Sequence, residues 1–411
     1  MQYLYNIILY ISENLLKVFG NFFGMKVRQF KKGQSEVWQK LSKCRNLDQP
    51  VIWVHVSSLG EYEQALPVIE SLKSAKKKYA ILLSFFSPSG YEIIKNNSPA
   101  DCTVYLPLDT TDNAKKFVEL VKPQMAIFVK YDLWPNYLRQ LQTRKIPVFL
   151  ISATFNKKHP FLKYKWLQKI LHNFTHIFVQ DQTSQNILDG HGIQQVTLAG
   201  DTRFDRVFQL VQNNKNLSFV QRFKAGSPLL VAGSTWPKDE ALLIEYINQT
   251  NFPFKTILAP HEINEAHIQQ IVKQLKVPYI LYSDIDENTN LEDFKVMILN
   301  TIGVLKYIYA YANVVYIGNG FGKSIHNVQE PAVYGVPIIT GPHIHQFEEA
   351  KALKKLGALM TIESGQDLSQ TLDSLWQNPQ LRQEKAELTK NYVSSNLGAT
   401  RKIINHLKKY L

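Results

Sequence analysis

Two textures recur along this chain: short runs of β-branched and aromatic residues, and longer stretches with apolar positions three and four apart. The clearest short run is 51–56, VIWVHV, which reads as a buried strand. A small polar turn follows, Ser57-Ser58-Leu59-Gly60, and then a helix opening at Glu61. Further strands are predicted over 80–86, 104–106, 125–129, 148–152 and 177–179, with helices over 91–95, 114–121, 164–171 and 182–188. A second series begins at Pro228, with strands over 229–232, 254–259, 295–299, 314–317 and 338–340 and a helix from about Lys238. Strands alternating with helices at this interval predict parallel sheets covered on both faces. The stretch 200–205 and the polar run 213–216 break the composition between the two series. The fold class is therefore α/β with two domains, 50–200 and 201–383. They are flanked by 1–49 and by a basic helical segment, 384–411, broken near Asn396-Leu397-Gly398.

Residues 1–23 are apolar with one polar stripe, Gln2, Asn6, Glu13, Lys17 and Asn21, opposite Leu4, Ile8, Ile11, Leu15 and Phe22. A spanning helix would not normally keep a Glu and a Lys on such a stripe. No basic start or small-residue cleavage site marks a signal peptide. The pattern predicts a helix lying in a membrane interface. Lys26, Arg28, Lys31 and Lys32 follow it, a cluster attracted to anionic lipid. An amphipathic helix packed on its own domain fits the same pattern, as does, less well, a single-span anchor.

In an open α/β sheet, ligands sit beyond the carboxyl ends of strands. That places Glu61 at a cleft rim, at a helix N-terminus that favours its ionised form. An ionised carboxylate there is a candidate general base; a carboxylate that only complements the dipole gives the same pattern. Asp132 follows the strand ending at Val129, beside Trp134, as an acidic site residue or a helix cap. Ser87 and Ser89 read as turn residues. In the second domain, Gly233-Ser234-Thr235 between a strand and a helix predicts an anion site. Asn327 would cap a helix opened by Glu330 and Pro331, and Glu330 could accept ribose hydroxyls.

Composition narrows the partners. The net charge of +13 favours an anionic one, and no RNA-motif aromatic signature or zinc knuckle points to nucleic acid. Cys44 and Cys102 make neither a disulfide framework nor a metal set, which fits a reducing cytosol. Gly318–Ser324, GNGFGKS, fails as a phosphate loop because Ile317 stands where its first Gly belongs. Asp284-Ile285-Asp286 reads as a solvated loop, and His343 and His345 lack a metal-ligand set at usable spacing.

Five stretches together resemble the 3-deoxy-D-manno-octulosonic acid (Kdo) transferases of lipopolysaccharide synthesis: VHVSSLGE at 54–61, DLWPN at 132–136, GDTRFD at 200–205, AGST at 232–235 and HNVQEPAVYGVPIITGP at 326–342. The resemblance spans nearly the whole chain. It implies the GT-B arrangement, two Rossmann-like domains facing across a cleft, at the cytoplasmic side of the inner membrane. It implies CMP-Kdo as donor and the tetra-acyl disaccharide bisphosphate precursor of lipid A as acceptor, with no metal or cofactor. By resemblance, Glu61 is the catalytic base, and Asp132 and Arg203 steady the transition state. Ser58, Gly60, Gly233, Ser234 and Thr235 bind substrate. So do Pro260, His261, Ile302, Gly303, Val304, Asn327, Val328, Gln329 and Glu330. The chain departs from the family pattern at Lys130, Arg203, His261 and Val304. A GT-B enzyme using a UDP-sugar, a nucleotide-sugar epimerase and a non-catalytic membrane-bound binding module are the competing readings.

Overall fold

The structure is a computed structural model that describes residues 2–44, 49–75, 79–212, 216–323 and 325–411. Ser324 and residues 213–215 of the polar run lie outside the described residues. The chain forms two units, 1–206 with 397–411, and 207–396. The division falls at Arg206/Val207 rather than 200/201. The segment 384–411 is shared: the helix Pro379–Asn396 belongs to the second unit and Ala399–Leu407 to the first. Gly398, at φ 96°, supplies the left-handed turn that separates them.

Seven parallel strands build the first unit: β1 (Val51–Val56), β2 (Ala80–Phe85), β3 (Cys102–Tyr105), β4 (Met125–Val129), β5 (Val148–Ala153), β6 (His176–Val179) and β7 (Val196–Leu198), in the order β3-β2-β1-β4-β5-β6-β7. The sequence pattern misses β7, which is three residues long and only half-buried. From β1 the chain winds outward to β3, then returns to the other side of β1 as β4. The carboxyl ends of β1 and β4 therefore flank the topological switch point, where such sheets bind ligands. Both faces of the sheet are apolar. On one, Trp53 packs against Phe117, Phe128 and Tyr137 at ring-centroid distances of 4.9, 5.2 and 5.6 Å. On the other, Ile52, Val54 and Val56 join a core that includes Ile403 and Leu407. That C-terminal helix is held by Asp205, which accepts from the backbone N–H of Gly398 and Thr400 at 2.6 Å each.

The N-terminal fifty residues are more structured than a helix and a connector. Helix α1 (Gln2–Phe19) is followed by α2 (Met25–Cys44), which absorbs the whole basic cluster. Helix α2 buries Gly33, Val37 and Leu41; a Cβ at Gly33 would lie 2.0 Å from the Tyr105 ring, so glycine permits the close docking on β3. Cys44 and Cys102 form a disulfide between α2 and β3, with Cα atoms 6.0 Å apart. This corrects the expectation that the two cysteines stay unpaired: they are distant in sequence, but α2 docking brings them together.

Helix α1 is turned inside out. The first part of its polar stripe faces the domain, with Asn6 Oδ1 accepting from Asn136 Nδ2 at 2.9 Å and Glu13 from Asn113 Nδ2 at 3.3 Å, while Lys17 and Asn21 stay exposed. Tyr5 donates to the buried Asp109 at 2.8 Å. Leu4, Ile8, Ile11 and Leu15 keep more than half their surface exposed. Packing on its own domain through the apolar face is thus not what α1 does. Among the described residues, no helix is long and apolar enough to cross a membrane.

The second unit carries β8 (Leu229–Thr235), β9 (Lys255–Pro260), β10 (Tyr279–Leu281), β11 (Val296–Ile298), β12 (Val314–Ile317), β13 (Ile338–Thr340) and β14 (Leu359–Thr361), in the order β10-β11-β9-β8-β12-β13-β14, again all parallel. Its switch point lies between β8 and β12. The two sheets with helices on their faces are Rossmann-like units of the GT-B class.

Candidate active site

Glu61 and Asp132 meet at the switch point of the first unit. Helix α3 (Leu59–Lys73) starts two residues earlier than the sequence predicts, because Ser58 is its cap and accepts from Glu61 N at 3.4 Å. Glu61 is therefore inside the first turn and buried. Its Oε2 accepts from Ser57 N at 2.5 Å. The Ser57 hydroxyl donates to Asp132 Oδ2 at 2.5 Å. One serine thus bridges both carboxylates. Asp132 caps no helix; Trp134 occupies the cap position of α4 (Pro135–Thr143). Instead Asp132 Oδ2 receives Trp134 Nε1 at 3.1 Å and faces His55 Nε2 at 2.5 Å.

The environment drives the two carboxyls apart. Burial and the charge of Asp132 push Glu61 up to about 7, against the Ser57 N–H, His55 and Lys130. Burial also works against ionised Asp132, but His55, Ser57 and Trp134 outweigh it and hold that carboxyl below the usual range. A pair so divided is the signature of one group that exchanges a proton near neutrality and one that stays charged. Lys130 stands in the left-handed region at φ 65°. Its turn, closed by Asp132 N to Val129 O at 3.3 Å, aims the Asp132 loop back at β1.

Arg203 joins the same unit through α3. Gln64, one turn beyond Glu61, donates to Asp201 Oδ1 at 3.4 Å, and Arg203 Nε donates to Asp201 Oδ2 at 2.8 Å. The Arg203 guanidinium is therefore aimed by Asp201, with about a quarter of its side chain exposed. Gly60 is exposed at the start of α3; Ser87 and Ser89, expected in a turn, instead hold the cap position and the first turn of the helix Pro88–Ile94, where their hydroxyls bond each other at 2.8 Å.

In the second unit, Gly233-Ser234-Thr235 is not a turn after the strand but its end, carried by a bulge with Ser234 at φ 53°. A Cβ at Gly233 would lie 1.9 Å from Tyr309 Oη, and one at Gly318 2.2 Å from Ser234 O, so both strand ends are closed in by backbone and ring. The expected anion site on the next helix, Pro237–Gln249, is already filled: the buried Asp239 accepts from Trp236 N, Asn319 N and Tyr316 Oη at 2.9, 2.8 and 2.7 Å. The Thr235 hydroxyl is buried and donates to Glu240 at 3.1 Å, leaving Ser234 as the half-exposed hydroxyl of the three.

Pro260 closes β9 and is buried, while His261 is exposed and stacks on Trp236 at 4.8 Å. The His326 ring lies 4.7 Å from His261 and accepts from Trp236 Nε1 at 3.2 Å. Burial and the neighbouring His261 push His326 down to about 4. Asn327 Oδ1 accepts from Gln329 N at 2.8 Å and so caps the short helix Gln329–Ala332, whose formal cap position is Val328. Val328 and Gln329 are buried and fill the wall; Asn327 and Glu330 reach the surface. Ile302 and Gly303 stand exposed beyond β11, with Val304 opening the helix Leu305–Ile308. Asp286 is solvated, as expected, and no group of three or more His, Cys, Asp or Glu among the described residues could hold a metal.

Residues 30–206 match the model described as "3-Deoxy-D-manno-octulosonic-acid transferase (kdotransferase)". The chain is 28% identical to a 3-deoxy-D-manno-octulosonic acid transferase of Aquifex aeolicus over 82% of this chain and 88% of that one. It is 24% identical to one of Haemophilus influenzae over 100% and 99%. The chain is thus similar to the Kdo transferases along its whole length. It is a glycosyltransferase. A UDP-GlcNAc 2-epimerase of Neisseria meningitidis, solved with UDP-GlcNAc, shares the fold at a TM-score of 0.62 and 14% identity, over 88% of this chain and all of that one.

Glu61 and Asp132, both named from the sequence, are brought together by the structure, whereas Ser57, His55, Trp236 and His326 had no role assigned. The signal for His55 was present: a lone imidazole in the middle of an otherwise apolar strand needs a buried partner. If Glu61 is the base, kcat/KM should rise with pH along an acid limb near pH 7, because protonated Glu61 cannot accept a proton. Asp132→Asn should move that limb to lower pH by removing the charge that helps raise it, and a pH–rate profile checks both.

Proposed function

We propose that this protein transfers Kdo from CMP-Kdo to a hydroxyl of the tetra-acyl disaccharide bisphosphate precursor of lipid A, with inversion at the anomeric carbon. The observation that carries the reading is the Ser57-bridged pair, Glu61 near neutrality and Asp132 ionised, in a chain similar to the Kdo transferases. Ionised Glu61 takes the proton of the acceptor's primary hydroxyl as its oxygen attacks the anomeric carbon. Asp132 supports positive charge developing on the sugar. Negative charge builds on the departing CMP phosphate, which we assign Arg203 to oppose; one such donor is typically worth ~3 kcal/mol. Asn327, Glu330 and His261 offer the exposed polar edge for the nucleotide.

The inside-out helix α1 supports action at an anionic membrane surface, which we assign to the cytoplasmic side of the inner membrane. An apolar face turned outward beside Lys17, Lys26, Arg28, Lys31 and Lys32 fits a helix lying among lipid headgroups. The likeness to the epimerase keeps a UDP-sugar donor as the second reading, and CMP against UDP binding separates the two.

Glu61→Gln should lower kcat by roughly 10²–10⁴-fold in a transfer assay read by mass spectrometry of the lipid product. Near-normal transfer by a folded Glu61→Gln protein would remove Glu61 from the role. Ile8→Glu with Ile11→Glu, both at exposed positions, should weaken cosedimentation with anionic vesicles at least about tenfold, since each buried Ile contributes roughly 1.5–3 kcal/mol. Unchanged vesicle binding would refute the assignment of α1 to the bilayer.

A further inference from the structure

Three buried side chains that the proposed reaction does not use form a single hydrogen-bonded chain ending on Asp132. Trp53 and His55 are two residues apart on β1 and so share one face; Ser84 lies on β2, directly across from His55. None of the three has measurable surface exposure. Trp53 Nε1 lies 2.7 Å from Ser84 Oγ, Ser84 Oγ 2.8 Å from His55 Nδ1, and His55 Nε2 2.5 Å from Asp132 Oδ2.

The chemistry of the first member fixes the direction of every bond. An indole N–H only donates, so Ser84 Oγ must accept from Trp53. The Ser84 hydroxyl proton then has His55 Nδ1 as its acceptor. Were Nδ1 to carry the imidazole proton instead, that hydroxyl proton would be buried without an acceptor, at a cost of roughly 1–3 kcal/mol. A bare Nε2 lone pair would also face the Asp132 carboxylate at 2.5 Å. The arrangement that satisfies all groups has the imidazole proton on Nε2, donated to Asp132.

At Asp132 the donors converge on one oxygen. His55 Nε2–H, the Ser57 hydroxyl and Trp134 Nε1–H all reach Oδ2, at 2.5, 2.5 and 3.1 Å; Trp134 Nε1 also lies 3.0 Å from His55 Nε2, and with the imidazole proton on Nε2 the indole N–H keeps Oδ2 as acceptor. Oδ1 has no hydrogen-bond partner among the described residues. The side chain keeps 14% of its surface exposed, against none for His55.

We propose that the one-way chain Trp53→Ser84→His55 locks the His55 tautomer, so that Asp132 is held by Oδ2 and presents Oδ1 to the sugar. His55, Ser84 and Trp53 are positioning residues in this scheme; Asp132 alone touches substrate. The inference rests on the reading of Asp132 above, yet its primary test needs no substrate and no transfer.

The test is ¹⁵N NMR of the full-length protein labelled at histidine, with long-range ring correlations assigned through His55→Gln. The expected spectrum shows His55 with a protonated Nε2 and an unprotonated Nδ1. A proton on Nδ1, alone or together with Nε2, overturns the proposal. Ser84→Ala and Trp53→Phe should each mix the tautomers. They should also lower kcat by about tenfold to a hundredfold, as expected for a misplaced catalytic group, with KM unchanged. Should either variant fold, retain the Nε2–H tautomer and turn over normally, the chain is packing and the proposal falls. A wild-type spectrum as expected from a protein that fails to transfer Kdo would sink the proposed function and leave the relay standing.

Discussion

The arrangement depends on Ser57, whose two polar groups serve two carboxylates. Its N–H goes to Glu61 and its hydroxyl to Asp132, both at 2.5 Å. Like charges placed close together raise each other's proton affinity unless something pays for the second charge. Here the compensation is unequal. Asp132 collects His55, Ser57 and Trp134, while Glu61 has the Ser57 N–H and the more distant Lys130. The inequality creates a base poised near neutrality beside a permanent anion. It is possible because β1 and β4 are parallel neighbours whose following connections run to opposite sides of the sheet, so the turn after β1 and the loop after β4 meet at the same gap.

The second unit repeats the architecture without repeating the chemistry. Its switch point, at β8 and β12, is closed by glycines pressed against backbone and by the buried Asp239, which consumes the local N–H donors. What remains open is an edge: Ser234, the stacked Trp236 and His261, His326, and the surface of the 327–330 cap. That edge suits binding rather than proton transfer. The proposed division of labour, a reactive first unit and a binding second unit, rests on which polar groups each unit exposes.

Much of this was legible in the residues. The strands at 51–56, 125–129, 314–317 and 338–340 were readable because buried parallel strands are continuous apolar runs with clear punctuation. Glu61 and Asp132 were findable because they follow such runs. Other features were not. Nothing local distinguishes β7, and the bulge at Ser234 looks like a turn because Gly-Ser-Thr serves both. The Cys44–Cys102 bond and the outward apolar face of α1 depend on how α1 and α2 dock, which periodicity along one helix does not encode. His55 was hidden by its neighbours: its importance comes from Ser84 across the sheet and Asp132 across the switch point.

The most direct measurement of the central claim is ¹³C NMR titration of the Glu61 and Asp132 side-chain carboxyls in the unliganded protein, assigned through Glu61→Gln and Asp132→Asn. The account predicts two separate transitions, Glu61 near pH 7 and Asp132 below the ordinary carboxylate range. Two carboxyls titrating together at ordinary acidic values would contradict it.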